Sequence, residues 1–216
     1  MEQKEKTWLT EFSRDYGARE LHRSDLKPDP IAQFREWFEE GKSTLQEPTA
    51  MVLATADAQG RPSQRMVLMK GFDHEGILFG TSYESRKSRE LKENPHASLL
   101  FYWPALERQV RITGPISRAS VTESDEIFMA RRRGSRIAAV VSTQSAPIES
   151  REKLEAAYAA ETAKFEGKEV KRPATWGAYR VGFETFELWQ GGRDRLHDRF
   201  LYSRAGSQWK IERLQP

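Results

Sequence analysis

The sequence predicts a mainly β domain with flanking helices, an α+β fold built on an antiparallel sheet or barrel. Three observations lead there. From Ala50 onward, apolar residues come in short or alternating runs. Turn-forming tetrads, Asp57-Ala58-Gln59-Gly60 and Asp73-His74-Glu75-Gly76, separate consecutive runs as hairpins require. Helical spacing is confined to stretches outside these runs. At 216 residues and 38% hydrophobic content, the chain is long enough to bury one sizeable core.

In chain order, residues 1–28 are polar and are expected to cross the surface as a flexible arm or lid, with the domain itself spanning 29–216. Asp29-Pro30 supplies an N-cap and a first-turn proline to a helix carrying Ile31, Phe34, Trp37 and Phe38 on one face and ending near Gly41. Strands are expected at 50–56, 64–72, 76–81, 97–103 and 108–117. A short helix opens at Ser85 and reaches Glu93. Two more helices follow. One runs from Thr122 to Arg133, with a Thr122/Asp125 capping box and Gly134 as its stop, and the other from about Ser150 to Phe165. Strands at 175–183, 186–189, 199–203 and 208–212 complete the sheet.

Composition narrows the function. Lys and Arg number 35 against 32 Asp and Glu, a net charge of +3. That excess is too small for the basic stripe of a nucleic-acid-binding barrel. No apolar run approaches the roughly 20 residues of a membrane helix, and the charged opening Met1-Glu2-Gln3-Lys4-Glu5-Lys6 has no apolar stretch behind it. A cytoplasmic protein is therefore expected. The absence of cysteine removes disulfides, thiolate catalysis and Cys-ligated metals. The four histidines show no metal-ligand spacing, so no metal is expected. Any redox chemistry must use a borrowed cofactor.

Four basic clusters carry the candidate chemistry. Arg65-Met66-Val67-Leu68-Met69-Lys70 is an apolar strand bracketed by cations, set either at the two ends of a buried ligand or at solvated strand ends. Period-two alternation puts Arg65 and Lys70 on opposite faces, so a shared ligand requires a bulge or strong twist. In Ser85-Arg86-Lys87-Ser88, two cations occupy the first turn of a helix, where the macrodipole favours anions. A phosphate monoester suits that site, with pairing of Arg86 and Lys87 to Glu84 and Glu90 as the alternative. No Rossmann or P-loop glycine motif is present, so such a phosphate belongs to neither nucleotide type. Arg131-Arg132-Arg133-Gly134-Ser135 ends a helix, where cations are favourable on structural grounds alone. Finally, the stretch from Trp189 to Phe200 crowds Arg193, Arg195, His197 and Arg199 around Gly191-Gly192. Read as a strand, Arg195, His197 and Arg199 share one face and make a convergent donor surface.

Together these segments resemble the pyridoxine (pyridoxamine) 5′-phosphate oxidase family. The resemblance runs from about Asp15 to Pro216 and rests on Arg-Met-Val-Leu-Met-Lys (65–70), Ser-Arg-Lys (85–87), Glu-Arg-Gln-Val (107–110), Val-Ser-Thr-Gln-Ser (141–145), Phe-Glu-Leu-Trp-Gln-Gly-Gly (186–192), Arg-Leu-His-Asp-Arg-Phe-Leu-Tyr (195–202) and Trp-Lys-Ile-Glu-Arg-Leu-Gln-Pro (209–216), in the family's order. It implies an FMN-binding split β-barrel, a homodimer whose sites draw on both chains, and a C-terminal dimerisation segment. The implied flavin site comprises Arg65, Met66, Val67, Leu68, Met69, Lys70, Gly80, Thr81, Arg86, Lys87, Gln109, Gln144, Ser145, Trp189 and Arg199. The implied substrate site comprises Lys70, Arg131 and Ser135 around a vitamer phosphate, Arg195 and His197 over its pyridine ring as the catalytic pair, and Arg14 and Tyr16 in the covering arm.

The implied reaction is oxidation of pyridoxamine or pyridoxine 5′-phosphate to pyridoxal 5′-phosphate, with dioxygen as acceptor and hydrogen peroxide as product. Arg195 stays protonated and orients, while His197 assists proton movement. Alternatives of other classes are a noncatalytic flavin- or pyridoxal-phosphate-binding barrel and a split-barrel oxidase of another small substrate. The chain departs from the family pattern at Ile127, where a phosphate-binding Tyr is common, and at Ser13, where an Arg is common in the arm. One missing neutral hydrogen bond to a dianion costs about 1 to 3 kcal/mol. Weaker substrate affinity or an altered vitamer preference is expected, with activity retained.

Overall fold

A computed structural model describes residues 15–17 and 19–216. Arg14 and Ser13, which the sequence reading places in the arm, lie outside the described residues.

Nine strands form one sheet in the order β4-β1-β2-β3-β6-β5-β7-β8-β9, and a further β4–β5 pairing closes the first six into an antiparallel barrel. The strands are β1 (Ala50–Ala56), β2 (Pro62–Phe72), β3 (Ile77–Ser82), β4 (His96–Trp103), β5 (Arg108–Arg118), β6 (Trp176–Val181), β7 (Thr185–Gln190), β8 (Asp198–Ala205) and β9 (Gln208–Leu214). All nine expected strands are present, most of them a residue or two longer than the apolar runs that announced them. Closure depends on β5. Its first half, Arg108 to Thr113, pairs with β7, and Ile116 to Arg118 pair with β6. The switch occurs at Gly114, where a Cβ would stand 2.1 Å from the Gly182 carbonyl oxygen, so only glycine lets the two backbones pass.

Alternation along β1, β4, β5 and β7 sends Met51, Leu53, Leu99, Phe101, Val110, Ile112, Phe186 and Leu188 inward, all fully buried. Helix α1 (Pro30–Thr44) covers this core with Phe34, whose ring lies 5.0 Å from Phe72 and 5.1 Å from Phe101. Asp29 caps it as expected, accepting the Ile31 amide, and the helix continues one turn past Gly41. The described part of the arm is docked: Leu21 and Leu26 are buried in the same core.

The remaining helices are α2 (Arg86–Glu93), α3 (Val121–Met129), α4 (Arg133–Val141) and α5 (Arg151–Lys164). Here the structure corrects the sequence reading. The single helix expected from Thr122 to Arg133 is two helices broken at 130–132, and Gly134 lies inside the second rather than stopping the first. The capping box is Ser120 with Glu123, two residues earlier than Thr122/Asp125, and Asp125 instead accepts Arg172 Nε at 2.6 Å. A small separate core of Phe128, Ile137, Val170 and Trp176 holds α3 and α4 against β6. Among the described residues no helix is long and apolar enough to cross a membrane.

Candidate active site

A cleft of about 1050 Å³ opens along β2 and gathers five segments of the chain. Residues 65–70 of β2 line it, with Gly80 and Thr81 of β3, Arg86 and Lys87 of α2, Arg131 from the α3–α4 break and Ser135 in the first turn of α4, and Gln144 and Ser145 beyond α4. Arg65 and Lys70 share the cleft because the β2–β3 register shifts between Met69 and Gly71, which supplies the bulge that strict alternation demands. Between them Met66 and Leu68 are exposed, an apolar strip suited to a flat ring.

The start of α2 is built for an anion. Ser85, the N-cap, makes no side-chain cap bond and instead donates to the Ser82 carbonyl at 2.8 Å, and the first turn holds no acidic residue. Lys87 is buried, with Nζ donating to Thr81 Oγ1 at 3.0 Å, Gln144 Oε1 at 2.9 Å and Ser85 Oγ at 3.2 Å. These are neutral acceptors. Burial, aided by the Arg65 guanidinium, pushes its ammonium down to about 8. A cation that is costly to keep dry, with no salt bridge among the described residues and only the field of Glu90 to favour its charge, is the arrangement that a phosphate completes.

Glu90, a turn further along α2, organises the other two cations. Its carboxylate accepts from the Thr55 and Ser63 hydroxyls and from Arg86 Nε at 2.8 Å, and lies 3.4 Å from Arg65 NH2. Burial alone would raise its pKa, but the hydrogen bonds from Ser63, Thr55 and Arg86 overcome this and hold it at about 2. Arg86 therefore pairs with Glu90, whereas Lys87 does not pair with Glu84. Glu90 was expected only as a pairing partner of this basic cluster, and Thr55 and Ser63 were missed by the sequence reading. Of those two, Ser63 carried a signal, since it stands two residues before Arg65 on the same strand face.

On the opposite wall, burial lowers the guanidinium pKa of Arg131, which remains charged at any ordinary pH. Its NH2 donates to the Ser135 carbonyl at 2.9 Å and its plane lies 5.0 Å from the Trp176 ring, but Nε is buried with no acceptor among the described residues. The helix break explains this placement. Arg131 lies between α3 and α4, not at the cation-favouring end of one long helix. Ser145 adopts φ 74°, a conformation uncommon for a residue with a Cβ, as it turns the loop back to the cleft.

The remaining expected site residues form a second group, none of which lines this cleft. Gln109, Trp189 and Arg199 stand side by side across β5, β7 and β8. The Tyr16, Trp189 and His197 rings pack together, with centroids 5.5 Å apart for Tyr16 with each partner and 4.7 Å for Trp189 with His197, and Arg195 lies 5.8 Å from the Tyr16 ring. The expected shared strand face of Arg195, His197 and Arg199 is not formed. β8 begins only at Asp198, Arg195 sits in a tight turn at φ 66°, and Arg199 donates to Glu187 at 2.9 Å and to the Gln215 carbonyl. His197 is fixed differently. The Gly192 amide donates to its Nδ1 at 3.1 Å, so the neutral ring carries its proton on Nε2, and burial with Arg195 and Arg199 lowers its pKa. Gly192 is obligatory there, since a Cβ would meet the Leu196 carbonyl oxygen at 2.2 Å. Among the described residues no cluster of His, Asp and Glu is arranged to hold a metal ion.

Residues 38–165 match the family model described as pyridoxamine 5′-phosphate oxidase, and residues 176–216 match the pyridoxine 5′-phosphate oxidase C-terminal dimerisation region. Over 209 residues the chain is 53% identical to the pyridoxine/pyridoxamine 5′-phosphate oxidase of Rubrobacter xylanophilus, covering 96% of each chain. Over 214 residues it is 50% identical to the protein of that name from Burkholderia thailandensis, covering 97% of this chain and all of the other. Among solved structures, PhzG from Burkholderia lata 383, in complex with tetrahydrophenazine-1-carboxylic acid, superimposes with a TM-score of 0.85 at 34% identity over 89% of this chain and 95% of that one. A pyridoxamine 5′-phosphate oxidase-related, FMN-binding protein from Nostoc punctiforme shares the fold at TM-score 0.71 and 17% identity, over 88% of this chain and all of that one.

Proposed function

The chain belongs to the pyridoxamine 5′-phosphate oxidase family of FMN-dependent oxidoreductases, and from that premise we propose that it oxidises pyridoxamine and pyridoxine 5′-phosphates to pyridoxal 5′-phosphate. Dioxygen is the acceptor and hydrogen peroxide the second product; the amine substrate also consumes a water and releases ammonia. The observation that carries this reading is the pairing of two cationic groups in one cleft, Arg65, Arg86 and Lys87 about the start of α2 and Lys70 and Arg131 elsewhere along it. Two phosphate monoesters, one of the cofactor and one of the substrate, account for both.

The residues fit FMN. The uncapped α2 start and the Lys87 ammonium suit its phosphate, and the exposed Met66–Leu68 strip suits its ring. When bound, FMN accepts two electrons and a hydrogen from the exocyclic carbon of the vitamer and passes them to dioxygen. The protein's own work is positioning. Arg131, with its unpartnered Nε, and Ser135 hold the vitamer phosphate and fix the distance of its ring from the β2 strip. Arg195 orients the ring and offsets negative charge. His197 presents Nε2–H and, being neutral at working pH, donates a hydrogen bond without a net charge to desolvate.

Trp189, Arg195, His197 and Arg199 all fall within the C-terminal dimerisation region and outside the cleft of their own chain. The complete site is accordingly read as shared, with these residues contributed by a second copy of the chain.

The test is aerobic turnover of both vitamers by FMN-loaded protein, with pyridoxal 5′-phosphate and peroxide followed together. Equal amounts of the two products support the reading. FMN-loaded protein without product overturns it and favours oxidation of another cyclic substrate, a reading that the PhzG likeness and Ile127 beside the cleft support.

A further inference from the structure

The motif Glu107-Arg108-Gln109-Val110 places Gln109 in the expected flavin group, while its two charged residues have no assigned role. Both are nearly dry, at 5% and 7% exposure. Glu107 forms the turn between β4 and β5 in the left-handed conformation, φ 52°. Its carboxylate accepts the Gly17 amide at 3.0 Å, across 90 residues of sequence. Its carbonyl accepts the Gly191 amide at 2.8 Å and Gln190 Nε2 at 3.2 Å. Arg108 secures the same turn, donating to Gln190 Oε1 at 2.9 Å and to Glu40 at 2.6 Å while lying 4.3 Å from the Trp37 ring. Glu107 thus grips both sides of the Tyr16/Trp189/His197 ring cluster. Tyr16 precedes the clamped Gly17 and packs directly over Gly191, where a Cβ would stand 2.9 Å from the Tyr16 Cβ.

We propose that Glu107 is a positioning residue for substrate binding: through the Gly17 amide it seats Tyr16 on Trp189 and His197 beside Arg195. The inference rests on the reading above, in which Arg195 and His197 face the vitamer ring, and adds a residue that acts through the backbone of the covering segment. A carboxylate acceptor with little water to compete holds an amide more strongly than a neutral acceptor does. A segment ordered before substrate arrives does not charge its ordering entropy to binding. Losing the clamp therefore weakens binding, while the bound complex, once formed, reacts at its ordinary rate.

The experiment compares FMN-loaded wild type with Glu107→Ala, Glu107→Gln and Gly17→Pro, measuring hydrogen exchange in the peptide spanning residues 15–22 and the steady-state kinetics of vitamer oxidation. Glu107→Ala and Gly17→Pro are each expected to speed exchange there about tenfold and to raise KM about tenfold, with kcat within about twofold of wild type and FMN content unchanged. Glu107→Gln keeps an acceptor oxygen and is expected to recover most of both losses. Gly17→Pro deletes the donor N–H and, because Gly17 holds φ 151°, also forces the backbone away from the clamped conformation, so it releases the segment even where Glu107→Ala fails to fold, while Glu107→Gln shows whether the acceptor is the cause. Wild-type exchange and KM in Gly17→Pro, or a fall in kcat with KM unchanged, overturns the proposal. If wild type does not oxidise the vitamers at all, the functional reading fails, and the exchange measurement alone still decides whether the clamp exists.

Discussion

Lys87 and Gln144 meet at 2.9 Å, ammonium to amide oxygen, although 57 residues separate them in sequence. The contact brings the start of α2 and the loop beyond α4 to one anion site. It also leaves Lys87 buried among neutral partners with its pKa pushed down to about 8.

The pH dependence of flavin binding follows from that value. FMN phosphate, with a second pKa of about 6, is a dianion above pH 7. As pH rises from 7 to 9, Lys87 loses its proton, and FMN affinity is expected to fall about tenfold. Stability of the apoprotein moves the other way. A lysine whose folded pKa is depressed destabilises the fold below pH 8, and this penalty fades between 8 and 10.5. Flavin-fluorescence titrations at pH 7 and 9 test the first trend, and Lys87→Met should flatten it.

Glu90 is expected to be worth about 3 kcal/mol to the fold, because Glu90→Ala leaves Thr55, Ser63, Arg65 and Arg86 without their common acceptor. Its depressed pKa of about 2 means that its contribution is complete above the ordinary value of 4.5 and is lost as pH falls from there toward 2. Urea unfolding of apoprotein at pH 7 and pH 4 should show a smaller acid loss in the variant than in wild type.

Replacement of Arg195 by Met should lower kcat/KM for either vitamer by about a hundredfold or more, since the substrate ring loses its orienting cation. FMN should remain bound, because Arg195 is read as facing the vitamer ring, and the flavin phosphate as held at the start of α2 by Arg65, Arg86 and Lys87. Turnover at the wild-type rate would remove Arg195 from the catalytic pair.

Ile127 stands beside the cleft, its Cγ2 3.4 Å from where a Gly80 Cβ would lie. Ile127→Tyr is expected to lower the KM for phosphorylated vitamers about tenfold by restoring one hydroxyl donor to the phosphate. An unchanged KM would show that the hydroxyl does not reach the substrate.

The parts legible in the sequence were those encoded over a few residues. Strand alternation and the Asp29-Pro30 cap needed no tertiary information, whereas the grouping of 65–70 with 85–87 came only from the family resemblance. Arg131 shows where this fails. Three arginines before Gly-Ser read as a helix end, yet Phe128, Ile137 and Trp176 pack into a small core that breaks the chain into α3 and α4 and aims Arg131 into the cleft. Arg199 fails for another reason. Alternation gives a direction, but Glu187, already facing Arg111 on the neighbouring strand, captured its guanidinium.

By itself, the sequence determined the α+β class, the strand order along the chain, the family and the need for an external redox cofactor. Tertiary structure alone decided that Glu90 gathers Arg65 and Arg86, that Glu107 reaches Gly17, and that the expected site residues fall into two groups within one chain. Local patterns depend on backbone periodicity and steric preference, which neighbours in sequence impose on one another. The partner of a long charged side chain depends instead on which distant acceptor the closed barrel brings within hydrogen-bond reach, and on how little water remains there to compete.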